Sequence, residues 1–243
     1  MNVKFHNGKA IMSPRFGRLL ALLAAFVLCS CAALHEKDPW ENVNRAVFQF
    51  NDHIDNAALK PAARAYRTLP DFVQTGVGNF FGNLEDVWTS ANNFMQGKFE
   101  DGLSDVMRVT FNTFLGLGGV LDIASEAGLP KHKEDFGQTL GGWGVRAGPY
   151  VVLPLLGPST LRDALAAPID WNASPWAYVE PVRIRNPGYV INTVSQRAAL
   201  LDATQLLEDA ALDRYQFVRD GYLQRRESKL RDGDTRPPSY DEE

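Results

Sequence analysis

The chain has 243 residues and a net charge of −4, from 25 Lys and Arg against 29 Asp and Glu. Four of the basic residues and none of the acidic ones precede Ser30, so the rest of the chain carries 21 against 29, a net −8. That balance excludes a nucleic-acid partner and simple electrostatic adhesion to anionic lipid.

The N-terminus reads as an export signal. Lys4, Lys9, Arg15 and Arg18 form a basic flank, and Leu19 to Leu28 is an unbroken apolar run. The run is too short for a bilayer span, which needs roughly 20 residues, but suits a signal-peptide core. Leu28-Cys29-Ser30-Cys31 resembles a lipobox, so residues 1–30 are expected to be removed and Cys31 to carry acyl chains. Both cysteines of the chain lie in this motif, which leaves no disulfide, thiol nucleophile or cysteine metal site beyond it. Ala32 follows Cys31. Lipoproteins kept at the inner membrane usually have Asp at that place, so by resemblance the destination is the outer membrane. The tether, residues 32–37, reaches only about 20 Å when extended. The domain after it is therefore expected to sit against the membrane at its periplasmic face.

The body is expected to be all-α, one helical domain over residues 38–230. Asp38-Pro39-Trp40-Glu41 predicts a helix start with Asp38 as cap, and the helix should stop before Pro61. Over 79–99, Phe80, Phe81, Leu84, Val87, Trp88, Ala91, Phe94 and Met95 form one helical stripe. The stripe reads as core-facing, with a membrane interface as the alternative. A second helix follows through Leu103, Val106, Met107, Phe111 and Phe114, with Gly97 and Gly102 bracketing the turn. From Gly116 to Gly157, Gly and Pro are dense, which predicts loops and short helical turns. Ser159 is expected to cap a helix to about Ala167, and 172–187 to be loop, with Asn186-Pro187 opening the next helix. Long helices are predicted over 188–209 and 213–229, and a disordered tail over 231–243.

Enzyme chemistry finds little support. His53 and His132 lack a second histidine at metal-ligand spacing, and neither HExxH nor GxSxG occurs. The acid pairs Glu85-Asp86, Glu100-Asp101 and Glu134-Asp135 read as caps and solvated faces. Gly142-Trp143-Gly144-Val145-Arg146-Ala147 has the spacing of a dinucleotide loop, but Gly148-Pro149 follows where a helix should open. No enzyme activity, cofactor or metal is expected.

The residues also carry a resemblance. It begins at Asp38-Pro39, Asn44-Arg45, Phe48, Phe50 and Asn51, and continues through Leu59-Lys60-Pro61, Asn79-Phe80, Asn83-Leu84, Arg108 and Asn112-Thr113. Its most specific stretch is Asp135 to Gly141 (DFGQTLG), with Trp143-Gly144, Gly148-Pro149-Tyr150 and Gly157-Pro158-Ser159 after it. On these motifs the chain resembles the MlaA/VacJ lipoproteins. The resemblance implies a ring-shaped helical domain with an amphipathic channel, and outer-membrane phospholipid as the transported ligand. It further implies a trimeric porin and a soluble periplasmic lipid carrier as partners, with lipid leaving the outer leaflet. Gly141, Gly142, Gly144, Arg146, Gly148 and Tyr150 are candidates for a channel-side hinge, with Arg146 meeting lipid phosphate. Tight helix packing is the alternative use of those glycines. Phe48, Phe50 and Asn51 are candidates for holding the domain or its membrane position.

Overall fold

The chain is mainly helical, as expected, but several helix boundaries differ from the predicted ones and two long paired helices face the opposite way. The computed structural model describes residues 38–231, so Cys31, the tether, the signal segment and residues 232–243 lie outside the described residues. The expectations placed on them are outside it too.

Helix α1 (Glu41–Ile54) begins with Trp40, not Asp38, at the cap position. Glu41 turns outward to Arg45 at 2.7 Å rather than back to a cap. The predicted stop before Pro61 does not occur. A single π-helical segment (Asp55–Leu59) leads into α2 (Lys60–Tyr66), which carries Pro61 near its start. Proline lacks an N–H and its ring crowds the carbonyl four residues back, so a widened turn lets the helix continue past it. Arg197 grips Asp55 in this segment through two bonds of 2.7 and 2.8 Å.

Helices α3 (Asp71–Met95) and α4 (Phe99–Phe114) form an antiparallel hairpin. Gly97 makes its turn at φ +80°, a value open to glycine at little cost. Gly102 lies one turn into α4 with the Phe94 ring against it, where a Cβ would meet ring carbons at 2.9 Å.

The polar faces of this hairpin point inward, contrary to the core-facing reading of the stripe. On α3 the buried residues include Asn83, Asp86, Thr89, Asn92 and Asn93, whereas of the apolar stripe only Phe81 is buried. On α4 the buried set is Gly102, Asp105, Arg108 and Asn112, and Phe99, Leu103 and Phe114 are 69, 58 and 81 % exposed. Among the described residues, every one of the largest fully buried side chains except Tyr150 is polar, Arg108 foremost.

The inward groups pair largely with one another, as buried polar groups tend to. Arg108 makes a bidentate contact to Asp122 at 3.0 and 3.1 Å, and donates to the Leu129 carbonyl at 2.6 Å and to Ser125 at 3.1 Å. Asp86 is no solvated face: it is buried with Arg108 at 3.5 Å and Lys131 at 3.3 Å. Asp105 accepts from Asn93 at 2.7 Å and pairs with His132 at 2.9 Å, which gives that histidine a structural place.

The glycine-dense stretch holds two short helices, α5 (Ile123–Glu126) and α6 (Phe136–Gly142), each capped by the aspartate before it. It also holds an unpredicted antiparallel β-hairpin, β1 (Tyr150–Leu153) with β2 (Gly157–Thr160), Tyr150 opposite Thr160. Ser159 therefore lies in β2, and Thr160 caps α7 (Leu161–Ala173), which runs through Pro168 beyond the predicted end. A 3₁₀ turn (Pro175–Tyr178) follows, and α8 (Val182–Ala199) starts five residues before Pro187. The Trp176 ring lies against Gly188, where a Cβ would come within 2.1 Å of it. The helix predicted over 188–209 breaks at Leu200 into α8 and α9 (Leu201–Ala210). Helix α10 (Arg214–Leu230) falls where a long helix is expected, and Asp213 caps it. No helix among the described residues is long and apolar enough to cross a membrane.

Candidate functional site

Helices α3, α7, α8 and α10, the segment before α6 and the tip of the hairpin line an open cavity of about 810 Å³. That volume is within the range of small-molecule sites. Each helix contributes a short periodic row: Tyr189, Asn192, Thr193 and Gln196 from α8, Tyr222, Arg226 and Lys229 from α10, Asp163 and Asp170 from α7. Leu84, Trp88, Leu156 and Trp171 supply apolar surface between them. The lining is thus mixed, polar along some faces and aromatic or aliphatic along others.

An arginine at the centre fixes the walls. Arg226 binds Asp135 through both terminal nitrogens, at 2.5 and 2.6 Å, and lies 2.8 Å from Asp163 through Nε. Asp163 is also held by Arg162 at 2.9 Å and by the Tyr222 hydroxyl at 3.1 Å. Gly137 makes room for this knot, since a Cβ there would stand 2.5 Å from Asp163 and 2.6 Å from Arg226. Burial pushes the Asp135 carboxyl up, but the Arg226 bonds and charge outweigh it and leave the group below its usual range. Tyr222 is raised by burial and by the Asp163 charge, so it stays a neutral donor.

Asp170 accepts from Trp88 Nε1 at 2.7 Å and from the Phe136 amide at 2.8 Å. Burial raises its pKa against those bonds. Lys229 is half-buried and donates to the Lys133 carbonyl at 3.3 Å. Burial lowers its pKa, partly opposed by Asp135. Glu134 is held by Gln96 at 3.0 Å and Lys98 at 3.4 Å.

None of the six sequence candidates is among the residues lining this cavity. Tyr150 is fully buried in β1, packed on Tyr215 and Tyr222. Gly141 serves close packing, because a Cβ would meet Leu230 at 2.5 Å and Arg162 at 2.6 Å. Gly142 has only Gln96 near it, at 3.8 Å, and Gly144 and Gly148 sit at φ +90° and +70° in the connection to the hairpin. Arg146 is exposed on that connection.

Of the N-terminal motif, Asn51 donates to the Leu153 carbonyl at 2.9 Å and accepts from the Leu155 amide at 2.7 Å. Phe48 packs edge-on to Tyr215 at 5.6 Å, and Phe50 is exposed. Most of the polar lining lies outside the apolar stripes. The polar rows at spacings of three, four and seven on α8 and α10 were the available signal.

A family model described as the MlaA lipoprotein matches residues 36–229. Proteins named intermembrane phospholipid transport system lipoprotein MlaA from Shigella flexneri and Escherichia coli K12 are each 34 % identical, across 90 % of this chain and 91 % of theirs. A Rickettsia bellii protein of no stated function is 32 % identical over 79 % of this chain and 76 % of its own. A solved structure, reported as the structural basis for maintenance of bacterial outer membrane lipid asymmetry, superimposes with a TM-score of 0.71 at 35 % identity. It is matched over 80 % of this chain and 99 % of its own.

Proposed function

The chain belongs to the MlaA lipoprotein family, and from that premise we propose that it is an outer-membrane lipoprotein of an intermembrane phospholipid transport system. It removes mislocalised phospholipid from the outer leaflet through an amphipathic passage and hands it to a soluble periplasmic carrier. Acyl chains on Cys31 and the short tether hold it at the periplasmic face, and a trimeric porin is its membrane partner.

The observation that carries this reading is the inversion of α3 and α4, with charged and amide side chains inside and Phe99, Leu103 and Phe114 outside. In water such faces cost free energy; in hydrocarbon they are the stable arrangement, because polar groups there must be satisfied internally. A phospholipid cannot readily flip unaided, since its charged headgroup has to cross hydrocarbon. A cavity with a polar lining beside an apolar one gives the headgroup a wet route and leaves the tails in apolar surroundings. The step breaks no covalent bond, and the family's transport role needs no catalyst. In this reading the exposed Arg146 meets lipid phosphate, and Gly144 and Gly148 let the connection that bears it move.

The test is a photocrosslinking side chain placed at Thr193 in the cavity, in living cells. Capture of intact phospholipid is expected. Crosslinks to protein alone would make the chain a passive scaffold, and release of fatty acid from phospholipid by the purified chain would make it an esterase.

A further inference from the structure

The charges that line the cavity are not equally free. Arg226 is neutralised by Asp135 and Asp163. Glu134 is paired with Lys98, both side chains being largely buried. Four lining charges then remain: Lys133 and Lys229 against Glu85 and Asp170. Lys133 and Glu85 meet only at 3.8 Å and both are well exposed. Lys229 has no carboxylate within 4.0 Å among the described residues; its amine touches a carbonyl instead. Asp170 takes both of its hydrogen bonds on Oδ1, and its chain neighbour Trp171 also lines the cavity.

We propose that this cavity selects a zwitterionic headgroup of the phosphoethanolamine class, Lys133 and Lys229 taking the phosphate and Asp170, with Glu85 and the Trp171 face, taking the ammonium. The inference rests on the transport reading above and adds the substrate class. Its logic is charge balance. Lys229 without a carboxylate partner, Asp170 bonded only through Oδ1 and the loose, exposed Lys133–Glu85 pair together match a group that carries one charge of each sign. A headgroup with phosphate alone would satisfy the lysines but leave Asp170 without a counter-charge in partly desolvated surroundings. An ammonium beside a carboxylate and an indole face gains from both.

The experiment uses the full lipoprotein in neutral detergent, exposed to vesicles of equal phosphatidylethanolamine and phosphatidylglycerol, with the retained lipid quantified by mass spectrometry. A roughly threefold to fivefold enrichment of phosphatidylethanolamine is expected, the scale of a few partly exposed charge contacts. Asp170→Asn, which keeps an oxygen for Trp88 and Phe136, should bring the ratio near one by lowering the retained phosphatidylethanolamine, and the exposed Glu85→Gln should move it the same way. Lys229→Met should lower the total. Soluble glycerophosphoethanolamine should displace lipid better than inorganic phosphate. Equal retention of the two lipids, or an unchanged ratio in both carboxylate variants, would overturn the proposal while leaving the transport reading intact; displacement by inorganic phosphate just as well would reduce the site to a general anion site. Retention of neither lipid by the unaltered chain would instead overturn the transport reading itself.

Discussion

Asn44 and Asn51, two turns apart on α1, grip the β-hairpin by its backbone. Asn44 donates to the Tyr150 carbonyl at 3.0 Å and accepts from the Val152 amide at 2.9 Å. Asn51 repeats the pattern with the Leu153 carbonyl and the Leu155 amide. Each amide side chain stands in for the next strand of the sheet, pairing an edge that would otherwise lie open.

The two positions should differ in cost. The Asn44 bonds are buried, so Asn44→Ala strands a donor and an acceptor and is expected to cost about 2–4 kcal/mol. The Asn51 bonds reach the more exposed hairpin tip, and Asn51→Ala is expected to cost about 1 kcal/mol. Leu155 sits there at φ +64°, so Leu155→Gly should recover about 1 kcal/mol. Denaturant unfolding of the purified variants checks the order; equal losses at Asn44 and Asn51 would deny the clamp.

Arg108 is fully buried between three helical segments, where it serves Asp122, Asp86, Ser125 and the Leu129 carbonyl. Arg108→Met is expected to cost about 3–5 kcal/mol, because it leaves buried carboxylates without a counter-charge. Burial works the Asp122 carboxyl upward, but hydrogen bonds from Ser125 and Asn112 and the Arg108 charge hold it at about 2. A carboxyl depressed in the folded state stabilises above its unfolded pKa and loses that contribution as pH falls through the folded one. Stability should therefore decline from about pH 4 toward 2, with Asp122→Asn flattening the decline. Circular dichroism during an acid titration reads this.

Much of this architecture is legible, and what is not has separate causes. The helical class, the Gly97 turn and the short helical turns of the glycine-dense stretch follow from local chemistry, which the sequence states directly. The hairpin does not. Its strands have four residues each, and its edge is completed by Asn44 and Asn51 from about a hundred residues away. The orientation of α3 and α4 was hidden for another reason: an amphipathic period shows that a helix has two faces but not which solvent each one meets. The cavity escaped because its lining comes from rows on four separate helices, each of which resembles an ordinary solvated face.

The outward apolar faces imply that lipid contact does not depend wholly on the anchor. A Cys31→Ser chain, which cannot be acylated, is expected to co-sediment with phospholipid vesicles. Adding Leu103→Asp and Phe114→Asp should release it, since each charge placed in hydrocarbon costs about 2.5–3.5 kcal/mol. In water, without detergent or lipid, the same pair should shift unfolding by less than about 1 kcal/mol, because neither side chain is buried. If the double variant still sediments, these faces do not meet lipid.

The glycines before the hairpin can be sorted into packing and hinge positions by alanine. Gly141→Ala forces a methyl to 2.5 Å from Leu230 and 2.6 Å from Arg162, and Gly137→Ala does the same to Asp163 and Arg226. Both are expected to cost about 1–3 kcal/mol by overpacking, Gly137→Ala the more, because it also opens the ion pairs that fix the cavity wall. Gly142→Ala meets only Gln96 at 3.8 Å in a helical position and should be neutral or slightly stabilising. Gly144→Ala meets no atom, but at φ +90° it strains the backbone. It should therefore alter the conformation of the connection more than its packing. If Gly144→Ala lowers phospholipid transport in cells at normal protein level while Gly142→Ala does not, bending is centred on Gly144. Impairment by Gly141→Ala alone, in proportion to its loss of stability, would instead mean that these glycines serve packing.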